Sequence, residues 1–105
     1  MITLMKDADI LPDIVRDISK VIVMYGTDWC GNCDILKPEF YKKSQEYKEI
    51  PFVFVNPDIL PKSRAVVDLI DIPSIYAFKD GKEIYHKAGN KLENVQEVLD
   101  ILLGY

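Results

Sequence analysis

The sequence predicts an α/β fold in which a central mixed β-sheet is flanked by helices on both faces. Three observations lead to this prediction. Short apolar runs alternate with longer stretches of helical periodicity, as in parallel strands joined by helices. An Asp-Gly pair then separates two strand-like runs, which indicates an antiparallel hairpin. A further helical stretch follows the hairpin, so the expected order of elements is βαβαβαββα.

The first half of the chain supplies one strand, or two with a short one at residues 2–4. Isoleucines at helical spacing predict a first helix over about residues 8–19. Residues 21–25 form an uninterrupted apolar and β-branched run, which is typical of a strand buried on both faces and therefore central in the sheet. A second helix follows the two cysteines and reaches about residue 48, and we expect Pro38 to kink it.

The second half begins with another buried strand at residues 52–55. A third helix starts near Pro61, since proline suits a first helical turn, and apolar residues continue its pattern to residue 70. Residues 74–78 and 83–86 are the two hairpin strands.

A last helix follows the hairpin. Asn90, with Glu93 three positions later, predicts a capping box at its start. Apolar residues at helical spacing are expected to face the sheet: Leu92, Val95, Val98, Leu99 and Leu102.

The size and charge of the chain narrow its range of functions. Its 105 residues suit a single domain over residues 1–105, because two domains would each be too small for a good core. A formal net charge of −4 gives no electrostatic reason to expect nucleic acid or an anionic membrane as a ligand. The first residues lack the pattern of a signal peptide, and no apolar run approaches the roughly 20 residues that span a bilayer. We therefore expect a cytoplasmic monomer.

The chemistry of the chain is predicted at Cys30 and Cys33, between the central strand and the second helix. Unpaired N–H groups and the positive end of the helix dipole stabilise an anion there, which lowers the pKa of the Cys30 thiol. Cys33 lies one helical turn further on, within disulfide reach but deeper. Cys30 is therefore expected to be the nucleophile and Cys33 the resolving cysteine. Gly31 is expected to give the turn room, and Trp29 to lay an aromatic face beside the exposed sulfur.

This motif, Trp29–Cys33, resembles the active site of the thioredoxin family, in which a proline occupies the position of Asn32. Pro38 falls at the helix-kinking proline of that family. Ile72-Pro73 matches its isoleucine and cis-proline, and Lys87–Gly89 resembles its small-residue patch beside the substrate groove. Four landmarks in the right order are far more specific than an isolated CxxC pair.

The resemblance implies the thioredoxin fold and the reduction of disulfide bonds in substrate proteins by dithiol–disulfide exchange. It also implies a thioredoxin reductase, flavin-dependent and NADPH-consuming, as electron donor, and no bound cofactor. Zinc is not expected, because it needs four ligands and the chain has two cysteines and His86, which is expected on the surface. The residues implied in substrate binding are Trp29, Gly31, Asn32, Ile72, Pro73, Ala88 and Gly89.

Two positions depart from the family pattern more strongly than Asn32. Met24 stands where the family has a buried aspartate, six residues before the first cysteine, and Phe54 stands where it has the paired lysine. In the family, the aspartate is thought to accept the proton of the resolving cysteine. This route of proton transfer is therefore missing here. Water is then the simplest acceptor.

Three other functions stay open at this stage. The same cysteines would serve a disulfide oxidase or isomerase, or a glutathione-dependent glutaredoxin-like protein. The surface alone would serve a subunit that binds another protein. An inert cysteine pair is a weaker alternative, as is an iron–sulfur cluster that the CxxC motifs of two chains hold between them.

Overall fold

A five-stranded mixed sheet organises the part of the chain described by the computed structural model, which comprises residues 2–4, 16–27, 31–56 and 71–104. Its strands are β1 (Ile2–Leu4), β2 (Lys20–Tyr25), β3 (Phe52–Val55), β4 (Ser74–Lys79) and β5 (Lys82–Ala88). Two helices accompany them, α1 (Gly31–Glu46) and α2 (Glu93–Leu103). The helix predicted near residues 61–70 lies outside the described residues, as does most of the one predicted for 8–19, of which residues 16 and 17 are described and helical.

The strand order is β1-β3-β2-β4-β5, so the predicted central position of β2 is confirmed. β2 runs parallel to β3, where Val23 faces Val53, and antiparallel to β4, where Val23 faces Tyr76. β1 extends the parallel part beyond β3, which confirms the short first strand. Parallel pairing on one side and antiparallel pairing on the other make the sheet mixed, as predicted.

The hairpin of β4 and β5 is also confirmed, and its strands are longer than predicted. Asp80 and Gly81 join them with φ of 53° and 82°. Positive φ at both central residues is the conformation that Asp-Gly supplies in two-residue hairpin loops.

The strands β2, β3 and β4 are buried on both faces of the sheet, and their alternate residues point to opposite sides. On one face, Met24 and Phe54 pack with residues of α1 and α2 in a single cluster. On the other, Val23 and Val53 belong to a second buried cluster. Both described helices thus cover the first face.

The start of α2 differs from the prediction. The helix begins at Glu93 with Leu92 as N-cap residue, and no side chain caps it. The capping box is therefore wrong, since Asn90 lies two positions too early to reach the free N–H groups. Leu92 is 46% exposed rather than facing the sheet. The other four predicted inner residues are buried, and Asn94 is buried beside them.

Polar contacts tie α2 to the edge strand β5. The Tyr85 hydroxyl donates to Glu97 Oε2 at 2.8 Å, and Lys87 Nζ lies 3.2 Å from the same oxygen. These two partners lower the pKa of the Glu97 carboxyl. Neither described helix is long and apolar enough to cross a membrane.

Candidate functional site

Cys33 lies in the first turn of α1, two residues after the helix begins at Gly31. Its side chain is 2% exposed and packs in the same core cluster as Met24 and Phe54. The first N–H groups of a helix have no partner within it, so the backbone around Cys33 favours negative charge. Cys33 is disulfide-bonded. The sequence contains one other cysteine, Cys30, which together with Trp29 lies outside the described residues.

Gly26, directly after β2, provides the space in which the sulfur of Cys33 lies. A β-carbon at Gly26 would be 3.1 Å from Cys33 Sγ and 3.2 Å from Cε2 of Phe54. Gly31 differs, because a β-carbon there would meet no atom of the described residues within 4 Å. The close approach is therefore at Gly26, a position the sequence did not single out, and not at Gly31.

We expect Gly26→Ala to lower the free energy of unfolding by about 1 to 3 kcal/mol, because the added methyl group overpacks a filled core. Urea denaturation of the oxidised protein measures this loss. Gly31→Ala is the matched control and should cost nothing, since its site is open and alanine favours a helix over glycine. A Gly26→Ala protein as stable as the wild type would contradict the proposed packing.

The surroundings of Cys33 on the sheet side are apolar. Met24 is fully buried and Phe54 is 8% exposed, and the two are paired across β2 and β3. Lys37, one helical turn after Cys33, places its Nζ 4.1 Å from the centroid of the Phe54 ring. A cation over an aromatic face is electrostatically attracted to it. The Lys37 ammonium group thus places a positive charge beside Phe54, although neither Met24 nor Phe54 is itself charged.

The segment before β4 supplies a second part of the site. The Ile72–Pro73 peptide bond is cis, as the resemblance implied, and Pro73 is buried. Ile72 is partly buried and packs against both core clusters. The carbonyl oxygen of Pro73 accepts a hydrogen bond from the N–H of Gly89 at 2.9 Å, and Ala88 is paired with Ser74. Gly89 has φ of 111°, which only glycine adopts without strain.

The loop after β5 also reaches the cysteine motif. The side-chain amide of Asn90 donates to Oδ1 of Asn32 at 3.0 Å, and both residues are exposed. The structure thus links three of the predicted site positions through the loop: Asn32, Pro73 and Gly89. Asn90 was predicted as a helix cap and not as part of the site. Its place directly after Gly89 was the signal available in the sequence.

The described residues also lack the pattern of a metal-binding site. No three His, Cys, Asp or Glu residues among those described come close enough to hold a metal ion. His86 is exposed on β5, as predicted, where it stacks on Tyr76 and places Nδ1 3.0 Å from Glu83 Oε2. The described part of the site consists of Cys33 at a helix start and a cis-proline segment, which the loop carrying Gly89 and Asn90 joins through hydrogen bonds.

Comparisons with known proteins agree with this geometry. The thioredoxin family model matches residues 3–100. A thioredoxin of Mycoplasma pneumoniae is 32% identical over 89 residues, which are 85% of this chain and 87% of that protein. Thioredoxin from Plasmodium falciparum superposes with a TM-score of 0.87 at 19% identity, over 96% of this chain and 98% of that one. Fasciola hepatica thioredoxin superposes with a TM-score of 0.84 at 24% identity, over 97% of this chain and 99% of that one. The predicted thioredoxin fold is confirmed.

Proposed function

The chain belongs to the thioredoxin family of thiol–disulfide oxidoreductases, and on that premise we propose that it reduces disulfide bonds in proteins through Cys30 and Cys33. Cys30 is the nucleophile and Cys33 the resolving cysteine. The observation that carries the proposal is the placement of Cys33, buried in the first turn of α1 and engaged in a disulfide. Since the sequence has one other cysteine, three residues earlier, we infer that the disulfide joins these two.

The reaction consists of two exchanges. The Cys30 thiolate attacks one sulfur of the substrate disulfide, so a mixed disulfide forms and the other substrate sulfur leaves as a thiolate. Cys33 then attacks the Cys30 sulfur, which forms the internal disulfide and releases the second substrate thiolate. The substrate gains two electrons and the chain loses two. Solvent supplies the protons that the released substrate thiolates take up.

Cys33 must lose its proton before it attacks. Met24, which belongs to the same buried cluster as Cys33, stands where the family has the aspartate thought to accept this proton, and its side chain accepts none. We therefore propose that water accepts it, while the helix start favours the thiolate that remains.

The proposal extends to the setting of the reaction. We propose a cytoplasmic monomer that binds no cofactor of its own, acts on disulfide-containing proteins, and is returned to the dithiol form by a thioredoxin reductase that uses flavin and NADPH. The groove for the substrate comprises Trp29, Ile72 and Pro73 with the residues around Asn32 and Gly89.

Reduction of insulin tests the proposed function. The protein with dithiothreitol, and then with NADPH and a thioredoxin reductase, should accelerate precipitation of the insulin B chain over the reagents alone. An isomerase or oxidase would reduce insulin slowly, and a glutaredoxin-like protein would respond to glutathione instead. Failure with both donors would reject the reductase.

Asn32 should make the redox couple more oxidising than a proline would. It loosens the turn and adds a side chain that can bond the reduced thiolate, which stabilises the dithiol form. We expect Asn32→Pro to lower the reduction potential by about 30 to 60 mV, which corresponds to about 1.4 to 2.8 kcal/mol. Equilibration of both proteins with glutathione measures the difference. Equal potentials would remove this role of Asn32.

A further inference from the structure

The side chains of Asn32 and Asn90 form a bridge between two parts of the chain that are 58 residues apart in sequence. Asn90 Nδ2 donates to Asn32 Oδ1 at 3.0 Å. Asn32 lies between the two cysteines of the motif, and Asn90 follows Gly89 in the loop between β5 and α2. A proline at position 32 has no side-chain amide, so the bridge depends on the replacement of the family's proline by Asn32.

The loop that carries Asn90 is held on its other side as well. Gly89 donates its N–H to the Pro73 carbonyl at 2.9 Å, and the buried Asn94 places Nδ2 3.4 Å from the Ala88 carbonyl oxygen. The loop is therefore fixed to the cis-proline segment by its backbone. The asparagine bridge then joins this assembly to the start of α1, across the place where the proposed function puts the substrate.

The bridge leaves polar groups exposed to solvent. An asparagine amide has two N–H donors and a carbonyl oxygen with two lone pairs. One hydrogen bond between the two amides uses one N–H of Asn90, so the remaining N–H groups and the Asn90 oxygen stay available. A polar side chain or a peptide group satisfies them, whereas a large apolar side chain would remove water from them and offer no partner.

We propose that the Asn32–Asn90 bridge determines substrate specificity: it selects extended segments with a polar residue next to the cysteine under attack. The inference rests on the proposed function for the location of the groove. Asn90 is in this view a specificity-determining residue that acts together with Asn32, and it touches the substrate without taking part in the exchange.

Peptide binding to the oxidised protein tests the proposal without relying on turnover. Two otherwise identical peptides carry serine in place of the substrate cysteine, followed by glutamine in one and by leucine in the other. Titrations of the ¹⁵N-labelled chain, followed by NMR, give both dissociation constants and show the side-chain amide signals of Asn32 and Asn90.

We expect the wild type to bind the glutamine peptide at least about three times more tightly than the leucine peptide. Asn90→Ala and Asn32→Ala should each weaken the glutamine peptide by about three- to tenfold, the range for one lost hydrogen bond, and the leucine peptide by less than about twofold. The double variant should bind no more weakly than the weaker single variant, because both remove the same bridge. Lys91→Ala, an exposed neighbour in the same loop, is the control and should change neither constant by more than about twofold.

Equal losses for both peptides, independent losses that multiply in the double variant, or no binding by the wild type would each overturn the proposal. The insulin assay is separate from these titrations. If the protein reduces insulin but does not distinguish the two peptides, the proposed function stands and the specificity inference fails. If it distinguishes the peptides but does not reduce insulin, the reductase function fails and the peptide preference stands.

Discussion

Cys33→Ser will hold its substrate as a stable mixed disulfide, and Cys30→Ser will trap none. Without Cys33 the first exchange still occurs, but no second sulfur releases the substrate. Without Cys30 there is no accessible nucleophile, since Cys33 is 2% exposed. Both variants should lose insulin reduction by at least about 10³-fold, as expected when a nucleophile is removed.

Non-reducing electrophoresis and mass spectrometry detect the trapped species. The reduced wild type should also react with iodoacetamide near neutral pH at one thiol much faster than at the other, and Cys30→Ser should remove the fast reaction. Trapping by Cys30→Ser, or two thiols of equal reactivity, would reverse or abolish the assigned roles.

The second large effect is expected at Met24. We expect Met24→Asp to lower the free energy of unfolding at pH 7 by about 3 to 5 kcal/mol, because it buries a carboxylate among apolar residues without a partner. Folded domains are stable by only about 5 to 15 kcal/mol, so much of the stability is at stake. Urea denaturation as a function of pH measures the loss.

The loss should depend on pH in a defined direction. Burial raises the pKa of the introduced carboxyl above its unfolded value of about 3.9. The folded state therefore holds its proton more tightly, and stability falls as pH rises from about 4 through the folded pKa. Met24→Leu, which conserves volume, should cost less than about 1.5 kcal/mol at any pH. A mild, pH-independent loss in Met24→Asp would show that water reaches this part of the core.

A partner for the new carboxylate should recover part of the loss. Positions 24 and 54 are paired in register across β2 and β3. In a double-mutant cycle, Phe54→Lys should therefore couple favourably with Met24→Asp, by about 1 kcal/mol or more. Absence of coupling would mean that the two side chains do not share one environment.

Much of the fold was predictable because its signals are local. The runs at residues 21–25 and 52–55 are apolar throughout, which indicates burial on both sheet faces, and both are strands with both faces buried. Asp80-Gly81 predicted the hairpin because few other pairs adopt positive φ at both positions. The start of α2 was misjudged because Asn90 satisfies a capping pattern but bonds instead to a residue 58 positions away.

The site was predictable in its landmarks and not in its packing. The cysteine spacing and Ile72-Pro73 identified the helix start and the cis peptide bond. Gly26 was missed because its role appears only when α1 places Cys33 against β2. Lys37 lies one helical turn after Cys33, so helical spacing was a usable signal, but its contact with Phe54 depends on how the helix lies on the sheet.

The two outer strands of the sheet have a consequence for self-association. β1 has three residues, and β5 carries Lys82, Glu83 and Lys87 together with a shift of register opposite Ala77 and Phe78. Short length, alternating charge and local irregularity all make an open strand a poor template for another chain. At high concentration, molecules of this protein therefore have little to gain by joining their sheets edge to edge, which favours the monomer that we propose.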